Sequence, residues 1–385
     1  MNNKGLTDKF LKGAFKLGAY LGAGTLSASL MACDHLPVPI SVSGERYIAY
    51  ATTENGDIYS LRDGPYQVNP ETTMNLSLVT FDTVTNSVVS THDLPGPPLM
   101  LTNSKNSAAY IVPGEEDSTN IAFLNNGKLK TIKNASFPQL SSSGDCLAYT
   151  KMNENKAELY LDYFKTGTVR KHGAMGIPIA FSPDLSKLLF FGESEDEESG
   201  SMGIHYRHLS SGTSNHVVDA NLMEMSEKDL LQFPQWVGND RVLYTSKPTE
   251  SSSDHEIFVA DLRGNEIRIT DNYLAEVSPQ ISKQGTIFYV GKDVKKEVGT
   301  ESPVYFSRTE KGFWKSHKSD FSAQWLRVAG KNLIYSKNTG QVYSAPLEDV
   351  VNGETKNVVN ISQKIVTNQK SGEAINGLIR TVFGN

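Results

Sequence analysis

Seven times along the chain, two apolar residues are followed by an aromatic one: Ile48-Ala49-Tyr50, Ala108-Ala109-Tyr110, Leu147-Ala148-Tyr149, Leu188-Leu189-Phe190, Val242-Leu243-Tyr244, Ile287-Phe288-Tyr289 and Leu333-Ile334-Tyr335. The aromatic positions fall 39 to 60 residues apart, around the roughly 40 to 50 residues of a four-stranded propeller blade. A unit of that size cannot bury its own apolar faces, so it must stack on copies of itself.

Two further elements keep step with the first. About ten residues before the aromatic stand Phe137-Pro-Gln-Leu140, Ile177-Pro-Ile-Ala180, Phe233-Pro-Gln-Trp236, Ser278-Pro-Gln-Ile281 and Ser322-Ala-Gln-Trp325, with Pro39-Ile40 and Pro98-Leu99 as weaker copies. The proline is expected at the first residue of a short inner strand, where no N–H is owed to the ladder. After the aromatic come runs such as Glu158-Leu-Tyr-Leu-Asp162 and Glu256-Ile-Phe-Val-Ala-Asp261, then turns such as Thr166-Gly167 and Arg263-Gly264-Asn265, then a polar segment. Four strands per repeat follow from this order. The fold class is therefore all-β, a β-propeller of about seven four-stranded blades within a range of six to eight. Tyr50, Tyr110, Tyr149, Phe190, Tyr244, Tyr289 and Tyr335 are its repeat core, filling the space between blades. The long gaps hold insertions near Asp57 to Thr73, Glu193 to Ser201 and Thr249 to Asp254, where specificity is expected because loops on a rigid scaffold carry binding. Closing the ring is expected to use Pro37 to Ser41 or Lys356 to Ile361 to complete a blade.

The combined pattern, best seen at 137–168, 178–213 and 233–265, resembles the TolB-type propeller repeat, and the resemblance runs over nearly all of 37–362. Ser182-Pro183-Asp184 matches the Ser-Pro-Asp-Gly turn of that family, with Leu185 in the place of glycine. The resemblance implies a setting in envelope maintenance or complex assembly; one propeller fold hosts many activities.

The N-terminus has a separate logic. Lys4, Lys9, Lys12 and Lys16 precede the uncharged stretch 17–32, which has the layout of a secretory signal peptide and falls short of the roughly 20 residues a membrane span needs. It ends in Leu30-Met31-Ala32-Cys33, which resembles the lipobox of bacterial lipoproteins. That resemblance implies cleavage before Cys33 and lipidation of its thiol. Asp34 resembles the sorting signal that retains lipoproteins in the inner membrane, facing the periplasm; the outer membrane is the alternative. The expected division is 1–32 signal peptide, 33–36 lipid-anchored N-terminus, 37–362 propeller and 363–385 tail.

Composition narrows the function. A net charge of −6 and a mean hydropathy of −0.36 supply no basic footprint for nucleic acid. Cys146 is the second of two cysteines and reads as a small buried hydrophobe. No Gly-x-Ser-x-Gly elbow occurs, so no catalytic residue is assigned. His205 and His208 are three apart and would point to opposite faces of a strand, so no metal site is assigned. Glu193 to Ser199 lacks the spacing of a calcium loop and reads as a solvated insertion. Trp236 and Trp325 share a repeat position and read as blade core, and Asp82, Asp162 and Asp261 recur as a turn or cap. No cofactor is expected. The expected function is a membrane-tethered, non-enzymatic scaffold that docks an envelope protein or peptide. The alternative is a propeller enzyme or a small-ligand or carbohydrate binder with its site in the central channel. Gln139, Gln235, Gln280 and Gln324 are the regular channel-facing candidates for that site, although the same side chains suit hydrogen bonds to inner-strand backbone.

Overall fold

Short runs rich in Val, Ile, Leu, Tyr and Phe favour extended backbone, and the computed structural model arranges them as 27 strands among the described residues. It describes residues 40–43, 47–52, 76–85, 87–94, 101–104, 107–113, 118–125, 128–153, 156–193, 203–219, 234–248, 255–272, 274–293, 301–337 and 341–364. The leader, Cys33, Asp34 and the tail from 365 lie outside the described residues, as do the three insertions over most of their length.

The strands run as antiparallel meanders. Blade 1 is β1 (Ile40–Ser43), β2 (Tyr47–Thr52), β3 (Leu76–Asp82) and β4 (Ser87–Leu94); blade 2 is β5 (Leu101–Asn103), β6 (Ser107–Pro113), β7 (Thr119–Asn125) and β8 (Lys128–Ile132). Blade 3 has β9 (Ala135–Leu140), β10 (Cys146–Asn153), β11 (Lys156–Tyr163) and β12 (Thr168–Phe181), and blade 4 continues from β12 into β13 (Lys187–Glu193), β14 (Gly203–His208) and β15 (Ser214–Asp219). Blade 5 is β16 (Gln235–Val237), β17 (Arg241–Ser246), β18 (Glu256–Asp261) and β19 (Glu266–Arg268); blade 6 is β20 (Leu274–Ile281), β21 (Ile287–Asp293), β22 (Ser302–Glu310) and β23 (Phe313–Ala323). Blade 7 is β24 (Trp325–Ala329), β25 (Asn332–Ser336), β26 (Val342–Pro346) and β27 (Val359–Asn360), with helix α1 (Leu347–Asn352) between its last two strands.

Five sheets have four strands and one has seven. The seven-stranded sheet is blades 3 and 4 joined through β12. Thr168 to His172 pair with β11, Gly176 to Phe181 pair with β13, and Met175 pairs with both Glu158 and Glu193. Gly176 makes the hand-over possible, because a Cβ there would clash with the Phe191 carbonyl oxygen.

Apolar cores lie between all seven pairs of adjacent blades, and the one between blades 7 and 1 closes the ring. Tyr110 packs in the core between blades 1 and 2, Tyr149 between 2 and 3, Phe190 between 3 and 4, Tyr244 between 4 and 5, Tyr289 between 5 and 6, and Tyr335 between 6 and 7. All six are at most 5% exposed; Tyr50 lies on β2, and its side chain is outside the described residues. In five blades the aromatic stacks on the ring directly opposite it on the third strand, at 5.4 to 5.7 Å: Tyr149 on Tyr160, Phe190 on His205, Tyr244 on Phe258, Tyr289 on Tyr305 and Tyr335 on Tyr343. Such cross-strand pairs are the unit of sheet stabilisation.

As expected, a strand within 356–361 completes a blade, β27 in blade 7. β1 and β27 each complete their own blade, and among the described strands no blade mixes chain ends. Blade 7 meets blade 1 by side-chain packing of Ala329, Ile334, Val342 and Ile361 against Val79 and Phe81. The prolines differ from expectation. Pro138, Pro178 and Pro279 lie inside β9, β12 and β20 at breaks of register, where a bulge leaves one residue unpaired and removes the need for an N–H. Phe137 and Ser278, just before two of them, adopt φ of 55° and 54°.

The turns after the first strand repeat as well. Ser141, Ser182 and Ser282 each accept a backbone N–H from across the turn on the side-chain oxygen, from Cys146, Lys187 and Thr286. Three residues after each serine the chain enters the left-handed region, at Gly144 (φ 75°), Leu185 (φ 57°) and Gly285 (φ 82°).

Alternation of an antiparallel meander sends its connections to two rims. The first-to-second and third-to-fourth strand turns share one rim. The connections 53–75, 194–202, 247–255 and 294–301 join second to third strands, so both ends of each open on the other rim, as do those of 220–234 between blades 4 and 5.

Candidate functional site

The innermost strands surround the axis, and their hydrogen-bonded register defines one equivalent position in every blade, opposite the residue before the repeat aromatic. Ser41, Thr102, Gln139, Ala180, Gln235, Gln280 and Arg327 occupy it, paired with Ala49, Ala109, Ala148, Leu189, Leu243, Phe288 and Ile334. Three of the seven reach forward to the next blade. Thr102 Oγ1 accepts the Leu140 N–H at 3.1 Å, Gln235 Nε2 donates to the Pro279 carbonyl at 2.8 Å, and Gln280 Oε1 accepts the Val328 N–H at 3.5 Å. Gln235 and Gln280 thus stitch inner strands together, the backbone-bonding role that the sequence also allowed. Gln139 is half-buried on β9.

Gln324 is a correction. It aligns with the other glutamines in sequence, yet it lies just before β24, where its own N–H donates to the Ser336 carbonyl. Blade 7 has Ala323 where the others have proline and runs into β24 without a bulge, which shifts the register by three residues and puts Arg327 in the shared position. The same shift separates the tryptophans: Trp236 pairs with Val242 and Trp325 with Ser336, so they are not equivalent. Trp236 is in the core between blades 4 and 5 and donates from Nε1 to the Ala180 carbonyl at 3.0 Å. Trp325 packs on the core that closes the ring, with its Nε1 buried and without an acceptor among the described residues.

Arg327 is the third of the five residues of β24 and is half-buried. Its register partner Ile334 lies in the core between blades 7 and 1, so the side chain leaves β24 on the face toward blade 1. Its Nη1 donates to the Leu326 carbonyl at 3.2 Å, and no described carboxylate pairs with it. Loss of hydration alone pulls its guanidinium down to about 10; it stays protonated at neutral pH. Other arginines are answered: Arg268 by Glu256 and Asp271, Arg308 by Glu310, and Arg207 by His172 and Ser214. Arg327 was missed in the sequence because one arginine in Trp-Leu-Arg-Val-Ala reads as the exposed face of an alternating strand.

The remaining marked residues serve the fold. His205 takes the slot that Tyr or Phe fills in four other blades, and its cross-strand neighbour is His216, with rings 5.1 Å apart. His208 meets Tyr206 on the other face, the opposition expected from strand geometry. No group of three or more His, Cys, Asp or Glu suited to a metal occurs among the described residues. Asp82 and Asp261 accept backbone N–H groups of the turns that follow them, whereas Asp162 instead pairs with Lys130 of blade 2 at 3.1 Å. Burial pushes the Cys146 thiol up to about 12. A shallow cavity of about 400 Å³ lies on the short-turn rim between blades 3 and 4, lined by Tyr163, Arg170, Leu185, Ser186 and Leu209 among others.

Fold and inner ring together define a β-propeller. Solved structures agree. The chain is similar to the β-propeller domain of the Trilobed protease from Pyrococcus furiosus, described as having an open velcro topology, at 13% identity and TM-score 0.52 over 84% of this chain and 93% of that one. It is similar to a puromycin hydrolase S511A mutant at 9% identity and TM-score 0.51, over 88% of this chain and 56% of that one. TolB from Acinetobacter baumannii is also among the similar structures, at 17% identity and TM-score 0.43, where the chain spans 73% of itself and 66% of that protein. No protein-family model and no curated protein matches the chain.

Proposed function

We propose that this protein is a lipid-tethered propeller scaffold of the bacterial envelope, cleaved before Cys33, anchored through that thiol, and docking a protein or peptide partner. The observation that carries the reading is the asymmetry of the two rims. The long connections at 53–75, 194–202, 220–234, 247–255 and 294–301 all leave from one rim, while the other has short turns in six of its blades. Long connections concentrated on one face of a rigid ring are a docking surface in waiting. Leu30-Met31-Ala32-Cys33 supports the tether, since the acyl chains of a lipoprotein exceed the two hydrophobic signals that stable anchoring requires. Asp34 favours the inner membrane. The described residues contain no helix long and apolar enough to cross a membrane.

Two measurements test this reading. Growth on labelled palmitate is expected to label wild type and not Cys33→Ser; labelling of both removes the tether. An affinity pull-down from detergent-solubilised envelope, read by mass spectrometry, is expected to recover a defined complex whose yield falls in Cys33→Ser. A chain that purifies alone with a bound small molecule would favour the ligand-binding alternative.

A further inference from the structure

Leu185 carries a side chain where two equivalent turns carry none. The matching positions of blades 3 and 6 are Gly144 and Gly285, and all three residues lie in the left-handed region. In blade 3 a Cβ would clash with Ser104 Oγ; in blade 6 it would meet nothing within 4 Å, and glycine stands there all the same. Room alone therefore does not account for a leucine. Nor does the interior: Tyr163 and Leu209 pack on the core between blades 3 and 4, whereas Leu185 belongs to none of the apolar cores among the described residues. Its side chain instead lines the cavity of about 400 Å³ on the short-turn rim, with Tyr163, Leu209, Arg170, Ser186 and Ser210. Backbone strain kept without a packing reason points from the outlier to a function.

The walls are of two kinds. Tyr163, Leu185 and Leu209 are apolar, and Arg170 supplies one cation, its guanidinium over the Tyr163 ring at 5.7 Å from the centroid. Every turn of blades 3 and 4 on this rim lies within the described residues, and the carboxylates there are engaged elsewhere. Asp145 pairs with Lys165 at 2.7 Å and Asp162 with Lys130 at 3.1 Å, while Asp184 accepts the Ser182 and Ser186 hydroxyls at 2.7 and 2.8 Å. We propose that this cavity binds an amphipathic monocarboxylate, its apolar body against Leu185, Leu209 and Tyr163 and its carboxylate on Arg170. The volume falls within the range of small-ligand sites, roughly 300–1,000 Å³. One cation matches one negative charge, and the planar fork of an arginine donates to both carboxylate oxygens in parallel. Such a group comes from a free acid or from the C-terminal residue of a polypeptide. The site lies on the rim opposite the long connections and rests on neither the tether nor a partner docked there.

Ligand-observed NMR titration of the purified full chain with N-acetylphenylalanine, its amide and acetate tests it. Wild type is expected to bind the acid more tightly than either of the others, since the amide lacks the charge and acetate lacks the apolar body. Arg170→Gln is expected to bind the acid about two to five times more weakly, the scale of an exposed ion pair, and to bind acid and amide alike. Leu185→Gly is expected to bind both at least about fivefold more weakly through loss of an apolar wall, while its urea midpoint rises; a leucine with a purely structural role would not weaken binding as it stabilised the fold. A pentapeptide ending in phenylalanine separates the sources: binding tighter than that of N-acetylphenylalanine means a chain end, and weaker binding means a small molecule. Absence of saturable binding in wild type, a preference for acid over amide that survives Arg170→Gln, or unchanged affinity in Leu185→Gly overturns the site. Should Leu185→Gly fail to fold, Ser210→Trp, which fills the cavity from its exposed edge, decides in its place: retained binding overturns the site equally. The pull-down can fail while this site stands, and the reverse.

Discussion

Leu185 is the residue where local chemistry and fold disagree most plainly. It adopts φ of 57° in a turn whose counterparts are Gly144 and Gly285, and a left-handed backbone costs a Cβ-bearing residue about 1–2 kcal/mol. Leu185→Gly is therefore expected to stabilise the protein by roughly 0.5–1 kcal/mol, after loss of half-buried side-chain contact; a urea midpoint equal to or below wild type would sink this account. His172 offers a pH test. It is 6% exposed and accepts the Arg207 Nε–H on Nδ1 at 3.0 Å, which requires the neutral ring. Burial first, then Arg207 and Arg170, pull its pKa to about 4. Because the folded value lies below the unfolded one of about 6.5, the unfolded chain takes up the proton first as pH falls. Its contribution is whole above pH 6.5 and lost progressively towards pH 4, at up to about 1.4 kcal/mol per unit. Urea unfolding at pH 7, 6 and 5 should show that slope in wild type and a shallower one in His172→Gln. Cys146, with its thiol pushed up to about 12 by burial, is expected to resist maleimide at pH 8 until denaturant is added; rapid labelling of the native protein would contradict its burial.

Among the elements, β12 is the least regular and the most informative. Gly176→Ala would push a Cβ onto the Phe191 carbonyl and is expected to cost about 1–3 kcal/mol, read as a lower urea midpoint; a neutral effect would mean that the junction relaxes freely. The tryptophans give a paired comparison. Trp236→Phe breaks the hydrogen bond to Ala180, so it should cost about 1 kcal/mol more than Trp325→Phe, whose Nε1 has no described acceptor. These elements are unevenly legible in the amino-acid sequence. The second-strand aromatics were legible because burial between blades demands a large apolar side chain at one fixed register, and the turn at Ser182-Pro183-Asp184 was legible because tight turns demand particular chemistry. β12 was not, since the sequence places Ile177 to Ala180 at the start of a new repeat and gives no sign that the strand before it runs on into it. The proline bulges were not, because a bulge depends on the pairing partner as well as on the proline. The position of Arg327 was hidden for the same reason. Its equivalence to Gln139, Gln235 and Gln280 is a property of hydrogen-bonded register, and sequence alignment set Gln324 there instead.

At the scale of the whole ring, six of the seven interfaces join blades that are neighbours in sequence, and one joins blade 7 to blade 1. Among the described strands that seam shares none, whereas blades 3 and 4 are continuous through β12. Local opening follows the weakest connection, so amides of β3 and β25 are expected to exchange faster with deuterium than those of β11 and β13. Uniform protection around the ring would show the seam to be as strong as the shared strand. A closure made, among the described residues, by side-chain packing also bears on how such a molecule changes over generations. Every blade is one uninterrupted stretch of chain, so an in-frame duplication or loss of a single repeat adds or removes a whole blade without re-threading either terminus. The ring must then only adjust the angle between neighbours. By contrast, a ring fastened by a strand from each end would have its size fixed by the clasp. In this protein blade number is a quantity that heredity can alter one unit at a time, with the width of the axis, and what fits within it, changing in step.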